Sequence, residues 1–252
     1  MKVFALLVMI VTGSVLIYAE GDFPAWGDPE SPANSYVSKY YLENSIKDTN
    51  VPNVVTSVLA DYRGFDTMFE TCVIFVAGLA IIAILRRPKR KEEQLIKGDH
   101  DASEQSSSLI VQTACRLMIP LMQIFALYVV AHGHHSPGGG FQGGMILGAS
   151  LILLAITYDL QKVLEKISEK TTIIITATGV LVYSGIGAIS MILGGNFLDF
   201  SAWHIVLPAT DKVMARSHGM LGVEIGVALT VVAVMFSIYK DLASHGRLDK
   251  GL

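Results

Sequence analysis

Six stretches of the chain stay apolar for close to twenty residues each: 3–19, 67–85, 109–131, 139–158, 171–193 and 218–239. A helix needs about 20 such residues to cross a bilayer, so the pattern predicts an all-α integral membrane protein with about six transmembrane helices. The first stretch is the shortest. With Lys2 ahead of it and Ala19 before Glu20 it has the outline of a cleaved signal peptide, but Ile17 is too large for a small-residue cleavage site, and a retained anchor is the better reading.

The polar positions divide these spans into a two-span module (1–85), a linker (86–108) and a four-span module (109–252). The linker opens with the basic run 86–91 and ends in the Ser-rich, acidic composition of a flexible connection. Thirteen of the 19 Lys and Arg residues fall on the side of the membrane that holds both termini and the linker, five fall on the other, and Arg116 lies inside a span. The positive-inside rule therefore puts both termini in the cytoplasm and the protein in the cell inner (plasma) membrane. The basic run reads as a topology anchor. Arg116, near the cytoplasmic end of the third span, is expected to snorkel to that face.

The external segment 20–66 is too long for a turn. Its four prolines, Pro24, Pro29, Pro32 and Pro52, predict an extended first part. Asn34 and Ser35, as caps, should start a short helix carrying Tyr36, Tyr40 and Tyr41 at the membrane interface. Val54, Val55, Val58 and Leu59 fit a second helical face running toward Asp61.

Composition agrees with a life in lipid: 52% of residues are hydrophobic, 16% are charged and mean hydropathy is +0.50. A formal net charge of −3 and the lack of basic runs interleaved with aromatics exclude a nucleic-acid partner. Cys72 and Cys115 both lie in apolar runs, which excludes a disulfide scaffold or a thiolate metal site. There is no nucleophile elbow, no Walker lysine and no cysteine pattern for haem or iron–sulfur clusters. The chain carries no catalytic centre of its own, and no cofactor is expected.

The most unusual string joins the third and fourth spans: His132-Gly-His134-His135-Ser-Pro137-Gly138-Gly139-Gly140-Phe141-Gln142-Gly143-Gly144. Gly138, Gly140 and Gly143 formally match the dinucleotide fingerprint, but membrane-length apolar runs flank them where a strand and a helix are required. The close histidines are metal ligands in kind, yet the sequence places no further partners beside them, and no metal is expected. A tight turn entering a closely packed helix fits best. Pro137 suits a helix start, and Gly140, Gly144 and Gly148 recur on one face as a stripe that lets another helix approach closely; Gly222 and Gly226 form a second such pair. His134, at the membrane entry, is a candidate proton relay because histidine titrates near neutral pH.

Ionisable side chains inside spans are costly and tend to be functional. Glu224 lies about two turns into the last stretch, Glu70 about one turn into the second, and Asp66 one turn outside Glu70. Glu224 needs a partner or water, and either a structural ion pair or a cation pathway would supply one. Glu70, Asp66, Glu224 and His134 are the candidates for an ion or proton path.

These residues resemble two known membrane subunits. His134-His135-Ser-Pro-Gly-Gly-Gly-Phe-Gln-Gly-Gly144, with Gly222-Val-Glu224-Ile-Gly226, resembles the B subunit of Mrp-type multisubunit sodium/proton antiporters over roughly 109–240. Gly27-Asp-Pro-Glu-Ser-Pro-Ala-Asn34 and Asp61-Tyr-Arg63-Gly-Phe-Asp66-Thr-Met-Phe-Glu70 are similar to the small two-span subunit of Mrp-like modules in membrane-bound hydrogenases. In Mrp antiporters the similar segment ends the large A subunit; its place at the start of this chain favours a hydrogenase-type energy-converting complex or an Mrp variant with a split A subunit. The resemblance implies a protein that works with other membrane subunits, lipid, sodium ions and protons, and it gives functional weight to His134, Pro137 and Phe141. The alternative is a purely structural subunit of a redox-driven proton pump with no ion contact.

Overall fold

The structure is a computed structural model that describes residues 2–85, 109–158, 160–207 and 210–244. The linker 86–108 and its basic run lie outside the described residues. Regular structure among the described residues is helical, and six helices are long and apolar enough to cross a membrane. Two compact units are distinguished, Met1–Asn44 and Ser45–Leu252.

In the first unit, α1 (Lys2–Glu20) is an apolar helix whose side chains from Val3 onward are exposed. The segment after it is not extended but a succession of turns. Pro29 fixes the backbone of one turn in which the Ser31 amide donates to the Asp28 carbonyl, and an Asp28 carboxylate oxygen accepts from the Glu30 amide. The tyrosine helix forms as expected, as a π-helical turn Ala33–Val37 leading into α2 (Ser38–Thr49). Its start differs from expectation. Pro32 heads the helix, suited to a position whose N–H has no partner, and Asn34 lies inside it with its side-chain amide donating to the Asp28 carbonyl.

The second unit takes in the end of α2, then α3 (Val54–Thr56), a π-helical turn Ser57–Tyr62, α4 (Gly64–Leu85), α5 (Leu109–His132), α6 (Gly140–Tyr158), α7 (Leu160–Lys166), α8 (Glu169–Ile192), a 3₁₀ turn Phe200–Ile205 and α9 (Lys212–Ala243). The face of the α3 segment is the reverse of the simple amphipathic reading: Thr56, Ser57 and Ala60 are buried, while Val55 and Leu59 are exposed. The small polar side chains turn inward because they are hydrogen-bonded there: the Ser57 hydroxyl lies 3.0 Å from that of Thr49, and the Thr56 hydroxyl donates to the Gly133 carbonyl oxygen.

α9 is the hub. Its buried side includes Met220, Val223, Val227 and Val231, packed with Tyr183 and Phe200. The small-residue stripes set how closely its neighbours approach. A methyl group on Gly144 would come within 3.0 Å of the Ala228 carbonyl oxygen and of Val231, and one on Gly148 within 3.1 Å of Met235, so the predicted stripe of α6 lies against α9. Gly143, on another face of α6, approaches Ala126 and Val130 of α5. Gly226 meets the backbone of Gly179 on α8, where a methyl would sit 2.8 Å from the Gly179 carbonyl oxygen.

Several spanning helices begin ahead of the apolar stretches: α4 at Gly64, α8 at Glu169 and α9 at Lys212. α9 starts six residues before the predicted 218 because an Asp211 carboxylate oxygen accepts from the Met214 amide at 2.7 Å as a cap. Its first turns carry Lys212 and Arg216, charges that an apolar-run criterion leaves outside the helix.

Candidate functional site

Glu224 is 8% exposed on the face of α9 turned toward α6. The chain from Gly133 to Gly140 wraps around its carboxylate. A methyl on Gly139 would lie 3.0 Å from Oε1 and one on Gly133 3.2 Å from Oε2, and one on Gly140 would overlap the carbonyl oxygen of Glu224 itself. Gly139 also adopts φ +117°, a conformation that side chains oppose. The glycine string and the buried acid, 84 residues apart, are therefore one structure: bare backbone is needed where the carboxylate lies. Glu224 Oε2 is buried and accepts no hydrogen bond among the described residues.

A cavity of about 210 Å³ opens beside this carboxylate. It is lined by Glu224, Glu70, Gly138 to Gln142, Thr67, Thr71 and Tyr183, with apolar walls that include Ile74, Val223 and Val227. Two of the four path candidates, Glu224 and Glu70, thus share one cavity, joined there by Phe141. Tyr183 is fully buried, and its hydroxyl donates to the Gly64 carbonyl oxygen at 2.8 Å, which ties the first turn of α4 to α8. Asp66 is exposed and pairs with Arg63 instead of lining the cavity.

The loop before α6 is held from outside its own sequence. Asn53 donates its backbone amide to the His134 carbonyl at 3.0 Å and its side-chain amide toward Gly133 O at 2.8 Å and Ser136 O at 2.9 Å. The Thr56 hydroxyl donates to Gly133 O at 2.8 Å. Pro137 sits within this turn, three residues ahead of α6, and the Gly139 carbonyl accepts from the Gly143 amide as the helix starts. His134 Nδ1 is 3.4 Å from the Ser217 hydroxyl, and its Nε2 is buried without a hydrogen-bond partner among the described residues. Burial, reinforced by His135 and His218, holds the His134 imidazole below the ordinary histidine range. No three His, Cys, Asp or Glu side chains among the described residues are placed to hold a metal ion.

Three elements of this region carry no clear mark in the sequence. Asn53 looks like a loop residue, and only tertiary contact reveals its grip on the glycine loop. Asp61 and Arg216 form a two-pronged ion pair at 2.7 and 2.8 Å, with Arg216 also over the Tyr62 ring at 5.8 Å; each is an ordinary external charge in the sequence. Tyr183 could have been suspected, since a tyrosine in the middle of a span needs a hydroxyl partner.

An all-helical, multi-span membrane protein with a carboxylate buried between its spans defines the class: a polytopic membrane subunit. The family described as the domain related to the MnhB subunit of Na+/H+ antiporter matches residues 110–237, and the chain belongs to it. The family described as the E subunit of MBH matches residues 23–101, so both resemblances read from the sequence are met. The B subunit of the Na(+)/H(+) antiporter of Bacillus subtilis is 31% identical over 144 residues, 56% of this chain and 97% of that protein. The A/B subunit of a probable K(+)/H(+) antiporter of Rhizobium meliloti is 27% identical over 225 residues, 81% of this chain and 22% of that much longer protein. Among solved structures, a chain of the membrane-bound sulfane sulfur reductase, an archaeal respiratory membrane complex, superposes with a TM-score of 0.60 at 26% identity, covering 93% of this chain and 97% of that one. A chain of the Mrp complex from Dietzia sp. DQ12-45-1b gives a TM-score of 0.64 at 27% identity over 98% of this chain and 27% of that one. The protein is a membrane subunit of the Mrp type.

Proposed function

We propose that this chain works with other membrane subunits of an Mrp-type module that exchanges sodium ions for protons, and that the Glu224 cavity is part of the ion path. The observation that carries this reading is the buried, unpartnered Glu224 oxygen beside a cavity shared with Glu70. A carboxylate held in a membrane without a fixed partner is costly, and a cation or a proton relieves that cost by binding. Glu224 alternates between the two: a proton neutralises it when the cavity lacks a cation, and the cation displaces the proton. Glu70 receives the cation at the exposed edge, with Asp66, paired to Arg63, as the outermost acid. His134, held neutral beside Ser217, relays protons at the loop. Both termini lie in the cytoplasm and the membrane is the cell inner membrane, supported by the Lys and Arg asymmetry. Likeness to the MBH family and to the sulfane sulfur reductase supports a hydrogenase-like energy-converting complex as the parent assembly.

A second reading, potassium as the exchanged ion, is favoured by the relative from Rhizobium meliloti. The test is proton movement in vesicles containing the purified complex, driven by sodium and then by potassium. Glu224→Gln, with assembly intact, should abolish sodium-linked movement. Undiminished exchange refutes the path, and exchange with potassium alone selects the second reading.

A further inference from the structure

α5 buries Cys115, Ile119, Ala126 and Val129. Along the edge of that side, three or four residues apart and so on one strip of the helix, run Gln112, Arg116, Pro120, Gln123 and Leu127. Arg116, Pro120 and Leu127 are exposed, and the two glutamines are half-buried. The side chains of Gln112, Arg116 and Gln123 form no hydrogen bond or ion pair among the described residues. Arg116 lies roughly 10 Å along the helix from its first residue. Leu109 and Ile110, which open the helix, are exposed apolar side chains, so the charge is set back from the end of the apolar band.

A lone arginine at that depth turns its stem back along the helix and reaches the interface. Two of its neighbours have no such escape. Pro120 lacks an N–H, and the carbonyl of Arg116, four residues earlier, therefore lacks its helical donor. Gln123 lies about 20 Å from the start of the helix, well inside a hydrocarbon core about 30 Å thick, and its amide both donates and accepts. A headgroup phosphate offers acceptors to the guanidinium but no donor to that carbonyl, and it does not reach Gln123. A second copy of this chain meeting the strip about a two-fold axis would bring Arg116 against another arginine. In membranes, carbonyls freed by a proline are satisfied by adjoining helices, amides bond across helix interfaces, and intramembrane charges are paired.

We propose that this strip of α5 is the docking surface for a spanning helix of another subunit, one that carries an aspartate or glutamate level with Arg116. The carboxylate takes the guanidinium in a two-pronged pair. A hydroxyl or amide on the same helix donates to the Arg116 carbonyl in place of the N–H that Pro120 lacks, and Gln123 bonds to that helix further in. The surface is distinct from the Glu224 cavity, and its role in assembly does not depend on the ion path.

The test is retention of companion subunits by the purified complex. Arg116→Gln should lower the amount of one companion that co-purifies by about tenfold or more, while the chain itself reaches the membrane at the parent's level. Retention of every companion within about twofold of the parent overturns the proposal. A second measurement leaves the polar strip intact: Leu127→benzoylphenylalanine, irradiated in the whole complex, should cross-link to a spanning segment of another subunit that contains Asp or Glu, identified by mass spectrometry. Replacing that acid by arginine should restore the retention lost in Arg116→Glu, and failure to restore it overturns the pairing. Cross-links to lipid alone, to another copy of this chain, within the chain, or to a spanning segment without an acid each overturn the proposal. If Arg116→Gln does not reach the membrane, the cross-link decides. Full retention in Arg116→Gln with sodium exchange lost in Glu224→Gln removes the docking surface and leaves the ion path; the reverse pattern leaves the surface and removes the path.

Discussion

A methyl group decides much at Gly140 and almost nothing at Gly185. On the first it would overlap the Glu224 carbonyl oxygen, whereas no atom lies within 4 Å of the second. Gly140→Ala should lower the stability of the assembled protein by about 1–3 kcal/mol through overpacking, and Gly185→Ala should leave the thermal midpoint in place; equal effects would contradict the close crossing of α6 and α9. Histidine chemistry gives a second residue-scale prediction. Because His134 binds its proton less readily folded than unfolded, the unfolded chain takes it up first as pH falls through about 6.5, and folding stability drops on the acid side. His134→Gln, which cannot titrate, should therefore lose less thermal midpoint than the parent between about pH 7.5 and about pH 5.5; identical slopes would count against a buried neutral imidazole. Glycine spacing and burial cost made both the string and Glu224 legible in the sequence. That they touch was not legible, because the contact depends on which face of α9 turns to α6. Asp66 and Glu70 look alike one turn apart, and only the local partner Arg63 separates them.

Among elements, the spans were readable because lipid demands long apolar helices, and all six appear. Their ends were not, since caps such as Asp211 and Ser168 extend helices into charged turns beyond the apolar band. The external segment was the least legible. Its helices present small polar residues inward, and Asn53 holds the histidine–glycine loop through three hydrogen bonds. Asn53→Ala should cost about 1–3 kcal/mol by leaving loop carbonyls unsatisfied, and backbone hydrogen exchange should speed up in residues 133–139 while α8 is unchanged. Protection unchanged in that loop would mean that Asn53 does not hold it. Arg216 supports the same region from α9, pairing with Asp61 next to the turn that begins α4.

At the scale of the whole molecule, the chain places an MBH-like segment and an MnhB-like segment in one polypeptide, and the cavity draws residues from both matched regions: Glu70 from the first, Glu224 and Phe141 from the second. Fusing the two keeps both walls of one cavity in fixed proportion, a benefit if that cavity handles ions. Sodium binding to the purified complex tests this most directly, measured with radiolabelled sodium at a pH where carboxylates are ionised. Saturable binding should be present in the parent, lost in Glu224→Gln, weakened in Glu70→Gln and largely kept in Asp66→Asn. Binding that survives Glu224→Gln at full occupancy would contradict the account.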